Sequence, residues 1–289
     1  MEGWALTLVQ VAISGVLLGA VYALLAIGLN LIFGVMRIIN IAHGDLLMLG
    51  AYATFWLFTL WGVNPLLALV AVSPGMFLLG VALQRVLVDR VVGQPLLSSL
   101  LLTFGLSSLL TGLALNLWTA NYRSVPAFSG SLVVGGVAVS IPRLIAFSVA
   151  LAITAAVYLF LTRAKLGKAV RATAQNAEVA LVCGIDVARI RLLVFGLGTA
   201  LAAAAGALLA VIYTIYPEMG RAFLMKAFAI IVLGGLGSFQ GAFLGALALG
   251  VAEAFAGYIW NTQIAEAVAY VVFIGVLLVR PGGLFGTSE

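Results

Sequence analysis

From Leu144 to Leu161 the chain carries no charged residue, and similar uncharged runs recur along most of its length. About 20 such residues in helical form cross the hydrocarbon core of a bilayer. In that core every backbone N–H and C=O must find a partner within the protein, which leaves helices and closed barrels. A barrel needs strands of alternating polarity, and the continuous apolar runs exclude it. Hydrophobic residues make up 64% of the 289 positions and charged residues 8%. A soluble domain carries about 25% charged residues, so no soluble surface can be built from this chain. The sequence therefore predicts an all-α polytopic membrane protein.

The expected architecture is a helical bundle of about eight to ten transmembrane or re-entrant segments. Candidate spans are 5–33, 46–62, 65–84, 96–118, 142–162, 191–214, 223–236, 239–257 and 264–279. The last three include a pair separated only by Gly234-Gly-Leu-Gly-Ser238. That pair reads either as two crossings or as a broken helix that enters and returns. Non-helical backbone at depth is tolerated where protein or a water-filled cavity surrounds it. The whole chain, 1–289, reads as one transmembrane domain, and segment 119–141, with Gly130, Gly135 and Gly136, as a small surface hairpin. The start, Met1-Glu-Gly-Trp, lacks the cationic opening of a signal peptide.

Charge sets the orientation. Six of the 14 Lys and Arg residues lie in 163–191, and cationic loops stay on the cytoplasmic side. Tracing outward from that loop places 35–45, 85–95 and the C-terminus inside, and 119–141 outside. The outer side then holds Arg123, Arg143, Arg221 and Lys226. The net charge of +5 is explained by span ends and gives no reason to expect nucleic acid.

Within 163–191, Asn176 is placed to cap a short helix over Ala177–Cys183, because its side chain accepts from free N–H groups at a helix start. Glu178 follows in the first turn, where the helix dipole favours an anion. Gly184 fits the left-handed stop, and Asp186 can cap the next helix. Two turns are marginal in water. Exposed Val179 and Val182 on such a helix fit either a protein partner or an ordinary loop helix lying on its own chain.

Gly15…Gly19 and Gly241…Gly245, with Ala246…Gly250, put small residues at four-residue spacing on helix faces, which favours close helix packing. The densest polar cluster is Asn40-Ile-Ala-His43-Gly44-Asp45. Charged groups at depth are costly and face a cavity or a partner. The cluster reads as a hydrogen-bonded elbow, with Asp45 capping the second helix, or as a substrate contact. Glu253 is expected to pair with another polar group in the bundle. One cysteine, Cys183, and one histidine exclude multi-Cys and multi-His metal sites. Gly167-Lys168 is followed by Ala169, so the chain has no phosphate-binding loop of its own. No catalytic constellation is present, and no cofactor is expected on this chain.

Three segments together resemble the permease subunits of branched-chain amino-acid ABC importers. They are Gly34 to Tyr52, the loop Gly167 to Ile185, and Leu224 to Phe228 with Leu233 to Ala242. The ending Arg280-Pro281-Gly-Gly-Leu284-Phe-Gly286 also fits. Urea-type permeases share much of this pattern. The resemblance implies a multi-pass protein of the bacterial inner membrane with a cytoplasmic C-terminus. It implies a pore shared with a second homologous permease, two cytoplasmic ATPases carrying ATP and Mg, and an extracytoplasmic binding protein. It assigns Arg171, Asn176, Glu178, Val179, Val182, Gly184 and Ile185 to ATPase coupling, and the family's acidic pair is here reduced to one acid, Glu178. Asn40, His43, Gly44 and Asp45 are the candidate substrate pathway. The leading reading is translocation of branched-chain or other aliphatic amino acids by alternating access. The alternatives are a urea or short-chain amide permease, an ion-coupled secondary transporter using Glu253 or Asp45, and a membrane scaffold.

Overall fold

The computed structural model describes residues 2–280 and 283. Helices dominate. In chain order they are α1 (Glu2–Met36), α2 (His43–Trp61), α3 (Pro65–Val86), α4 (Leu96–Trp118), α5 (Ile141–Arg163), α6 (Lys165–Gln175), α7 (Ala177–Val182), α8 (Val187–Leu209), α9 (Met219–Gly234), α10 (Phe239–Ile259) and α11 (Thr262–Val279). A 3-10 turn at Val88–Arg90 follows α3. Between α4 and α5 lies an antiparallel hairpin, β1 (Ser131–Val134) with β2 (Val137–Ser140), its turn formed by Gly135 and Gly136 at positive φ.

Each of the nine expected spans is a helix, with ends shifted by a few residues. Among the described residues seven helices are long and apolar enough to cross a bilayer: α1, α3, α4, α5, α8, α10 and α11. The remaining two, α2 and α9, begin inside the bundle. Their first turns touch: a Cβ on Gly44 would lie 2.1 Å from the Gly220 carbonyl oxygen. Only glycine permits two backbones to approach so closely.

The core lies where α1, α2, α8, α9 and α10 meet. The small-residue faces on α1 and α10 pack against each other. A Cβ on Gly19 would lie 2.7 Å from the Ala246 carbonyl oxygen, and one on Gly250 would lie 2.5 Å from that of Gly15. The middle of α1 is consequently sealed, with Ala20 through Ile27 at or near full burial. By contrast, α4, α5 and α11 keep apolar faces exposed, among them Leu101, Phe104, Leu151 and Val271. Such faces suit lipid tails or another apolar chain.

The two ends of the bundle differ. At one end Ile32, Val35, Val88, Leu161, Val170 and Ile190 form a separate cluster that joins α1, the 3-10 turn after α3, α5, α6 and α8. At the other end the hairpin packs over the start of α1, and Arg123 bridges to Ile215. The first end carries the 163–191 loop.

Lys226 departs from its expected place on the outer side of the membrane. It is 6% exposed, buried among α1, α9 and α10. An apolar helix can carry a cation inward when a buried anion meets it, and Glu253 does so here.

Candidate functional site

The loop between α5 and α8 is the first candidate region. It holds two helices where the sequence reading placed one. α6 is amphipathic, and its buried positions Gly167, Val170 and Thr173 recur every three residues. Gly167 lets α6 lie on the end of α5, since a Cβ there would lie 2.0 Å from the Phe160 carbonyl oxygen. Arg171 is on the exposed side of α6 and borders a cavity of about 330 Å³ at this end of the bundle.

Asn176 ends α6 and starts α7. Its Oδ1 accepts from the N–H groups of Glu178 at 3.0 Å and Val179 at 3.1 Å. Gly184 sits at φ +83°. There the Gly184 N–H bonds to the Leu181 carbonyl and the Ile185 N–H to the Ala180 carbonyl, closing the helix end. Asp186 caps α8 through the Arg189 N–H at 3.1 Å. Only Ala180 of α7 is buried. Val179 is 57% exposed, Leu181 63% and Val182 88%. An apolar tip on two turns of helix is unstable in isolation and is built here by caps at both ends. Glu178 stands beside it, exposed.

The second region is the elbow between α1 and α2. Asn40, His43, Gly44 and Asp45 are all buried. His43 Nε2–H donates to the Leu25 carbonyl at 3.0 Å. Asp45 does not cap α2. The cap position is Ala42, and Asp45 lies inside the first turn. Its Oδ1 instead accepts from Thr111 of α4 at 2.9 Å, and Ser107 adds a second hydroxyl. The side-chain amide of Asn40 has no partner among the described residues.

A row on α4 holds this elbow, and the sequence reading passed over it. Ser99, Thr103, Ser107 and Thr111 are spaced by four and are all buried. Thr103 Oγ1 donates to the Ile39 carbonyl at 2.9 Å and accepts from the Ile41 N–H at 3.2 Å. The irregular stretch 37–42 has backbone groups without helical partners, and hydroxyls at four-residue spacing meet them. The signal was legible as a polar stripe on an otherwise apolar span.

The third region is the break between α9 and α10. Gly235 and Gly237 take positive φ, and Ser238 caps α10 by accepting from the Gly241 N–H. A Cβ on Gly241 would lie 1.9 Å from the Gly234 carbonyl oxygen, so the helices touch at the turn. Toward the other end of these helices, Lys226 donates to Glu253 and to Tyr22. The expected partner for Glu253 is therefore Lys226. Among the described residues no cluster of His, Cys, Asp and Glu can hold a metal. Most of the Arg280–Gly286 ending lies outside the described residues.

These features define a polytopic α-helical membrane protein with broken helices in its core and a capped, apolar-tipped loop at one end. The chain belongs to the family described as branched-chain amino acid transport system / permease component, whose pattern matches residues 11–277. It is 35% identical to the high-affinity branched-chain amino acid transport system permease protein BraD of Pseudomonas aeruginosa, over 97% of this chain and 96% of that one. It is 32% identical, over the same shares, to the corresponding permease protein LivH of Escherichia coli strain K12. In fold it resembles the solved structure of PsaBC from Streptococcus pneumoniae in complex with Fab, with a TM-score of 0.50 and 16% identity, covering 93% of this chain and 91% of that one. It is accordingly a transport permease subunit of the inner membrane with multiple passes, and not an enzyme.

Proposed function

We propose that this chain forms one half of a pore that carries branched-chain or other aliphatic amino acids inward, driven by ATP hydrolysis on separate subunits. The other half is a second homologous permease. Two ATPases holding ATP and Mg dock on the cytoplasmic side, and an extracytoplasmic protein delivers the substrate. The whole chain acts as one permease domain, with 163–191 as its coupling loop and the C-terminus inside.

The observation that carries this reading is the tip of α7. Val179, Leu181 and Val182 stand exposed on a helix fixed by Asn176 and Gly184, on a loop that holds six cations. A protein partner gains by covering such a tip. Arg171, Glu178 and Ile185 flank it and would orient the partner. At the elbow, Asn40, His43, Gly44 and Asp45 act as a pivot between α1 and α2, and any contact with substrate there follows a change of conformation.

The test is uptake of leucine by vesicles containing the assembled complex. ATP inside the vesicles should drive accumulation, and a proton or sodium ionophore should leave it intact. Loss of uptake on adding ionophore would favour the ion-coupled alternative. Accumulation of urea in preference to leucine would favour the amide permease.

A further inference from the structure

At the hairpin end, α1, α5, α10, α11 and Tyr213 of the α8–α9 connection border a second, open cavity of about 420 Å³. That is within the roughly 300–1,000 Å³ range of small-molecule sites. It is lined by opposite charges. Arg143, near the start of α5, forms no ion pair among the described residues. Glu253 of α10 borders the same cavity and retains 13% of its side-chain surface exposed. Lys226 holds Oε1 of Glu253, while Oε2 is closed off from solvent and has no hydrogen-bond partner among the described residues.

Between Trp4 and Val21 the first helix is otherwise apolar, yet Thr7, Gln10 and Ser14 fall on this wall, at helical spacings of three and four. Polar side chains in a membrane helix mark a water-filled cavity or a partner. The rest of the wall mixes apolar Leu18, Ala254 and Ala265 with the hydroxyl-bearing Tyr213, Tyr258 and Thr262. The cavity thus offers a cation, an anion and an aliphatic surface.

We infer that this cavity takes the zwitterionic head of an aliphatic amino acid. Arg143 receives the α-carboxylate, Glu253 receives the α-ammonium, and the side chain lies against Leu18, Ala254 and Ala265. A guanidinium binds a carboxylate through paired N–H donors. Oε2 of Glu253, unpartnered beneath the lining, becomes the acceptor for the ammonium when the carboxylate turns toward the cavity. Lys226 keeps hold of the other oxygen, Oε1, and so anchors the side chain. This inference rests on the amino-acid import reading and names where the substrate first meets the chain.

The experiment uses the assembled complex without binding protein or ATP. Ala254→Cys is made in a Cys183→Ala background, and the rate of labelling by a small impermeant thiol reagent is measured. Gly257→Cys, on the same wall, is a second reporter. Saturating leucine should slow labelling at least threefold. Leucinamide, which lacks the carboxylate, and 4-methylpentanoate, which lacks the ammonium, should each protect less. Arg143→Gln should remove protection by leucine, and Arg143→Lys should restore part of it. Unchanged labelling with leucine, at both reporters and in complexes that still import leucine, would overturn this site and leave the import reading standing. Equal protection by 4-methylpentanoate would overturn the role of Glu253. A wild-type complex that imports no aliphatic amino acid would instead overturn the import reading, and this site with it.

Discussion

Asn30 on α1 donates from Nδ2 to the Ser238 carbonyl at 2.9 Å, while its Oδ1 accepts from the Gly237 N–H at 2.8 Å. One side chain thereby satisfies both sides of the turn that breaks α9 from α10. The turn lies at the same end as the 163–191 loop, since Asn30, Ser238 and Arg171 border one cavity.

Removing that clamp should loosen the turn. Asn30→Leu leaves two part-buried backbone groups without their side-chain partner, each costing less than the about 1–3 kcal/mol of a fully buried unpaired group. Asn30→Asp keeps the acceptor for Gly237 but places a carboxylate against the Ser238 carbonyl. Both variants should lower the thermal midpoint of the purified complex, with Asn30→Leu lower in uptake than in membrane abundance. An unchanged midpoint for Asn30→Leu would show that the turn holds without α1.

Lys226 and Glu253 should behave as a unit. Taking away one member of a buried pair strands the other, at about 3–5 kcal/mol. Lys226→Met alone should therefore reduce assembled permease sharply. The double variant Lys226→Met, Glu253→Leu should recover much of that loss in assembly while import stays impaired. Additive losses in assembly would refute the coupling.

Gly184→Val should damage docking more than insertion. A β-branched residue at φ +83° is strained, with a cost of about 1–3 kcal/mol. The α7 stop is exposed and far from the bundle core, so the protein should still reach the membrane. Co-purification of the ATPases is the measurement, and full recovery of ATPases would count against the stop geometry. The single cysteine provides a companion readout. Cys183 is exposed, and it should react with an impermeant reagent from the loop side only. Ser129→Cys, in a Cys183→Ala background, should react from the opposite side.

Much of this arrangement could be read from residue order because membrane helices are local. The uncharged runs, the Asn176 cap, the Gly184 stop and the α1–α10 glycine faces each depend on a few neighbouring positions. Three features depended on distant partners and were missed. α6 contains Gly167, which looks like a break until the end of α5 is seen against it. Lys226 looks like a span-end cation until Glu253, 27 residues on, is placed beside it. The first turn of α2 begins at His43, ahead of Asp45, because the Leu25 carbonyl and the α4 hydroxyls satisfy the elbow from outside.

The role of Asp45 can be decided by comparing two substitutions. Its carboxylate accepts from Thr111, and no backbone N–H of α2 depends on it as a cap. Asp45→Asn keeps an oxygen that accepts from Thr111, so α4 stays tied to α2 if the role is positional. Asp45→Leu removes the acceptor and presents an isobutyl group to buried Ser107 and Thr111. That should cost about 1–3 kcal/mol, as for a polar group left unpartnered. The expected result is near-normal ATP-driven leucine uptake for Asp45→Asn and a clear loss for Asp45→Leu, at matched membrane abundance. A proton-carrying Asp45 gives a different result, because Asn cannot ionise and both variants would then lose accumulation alike. Uptake at two external pH values separates the cases further: a positional Asp45 leaves the pH profile of Asp45→Asn parallel to that of the wild type, whereas a proton carrier flattens it.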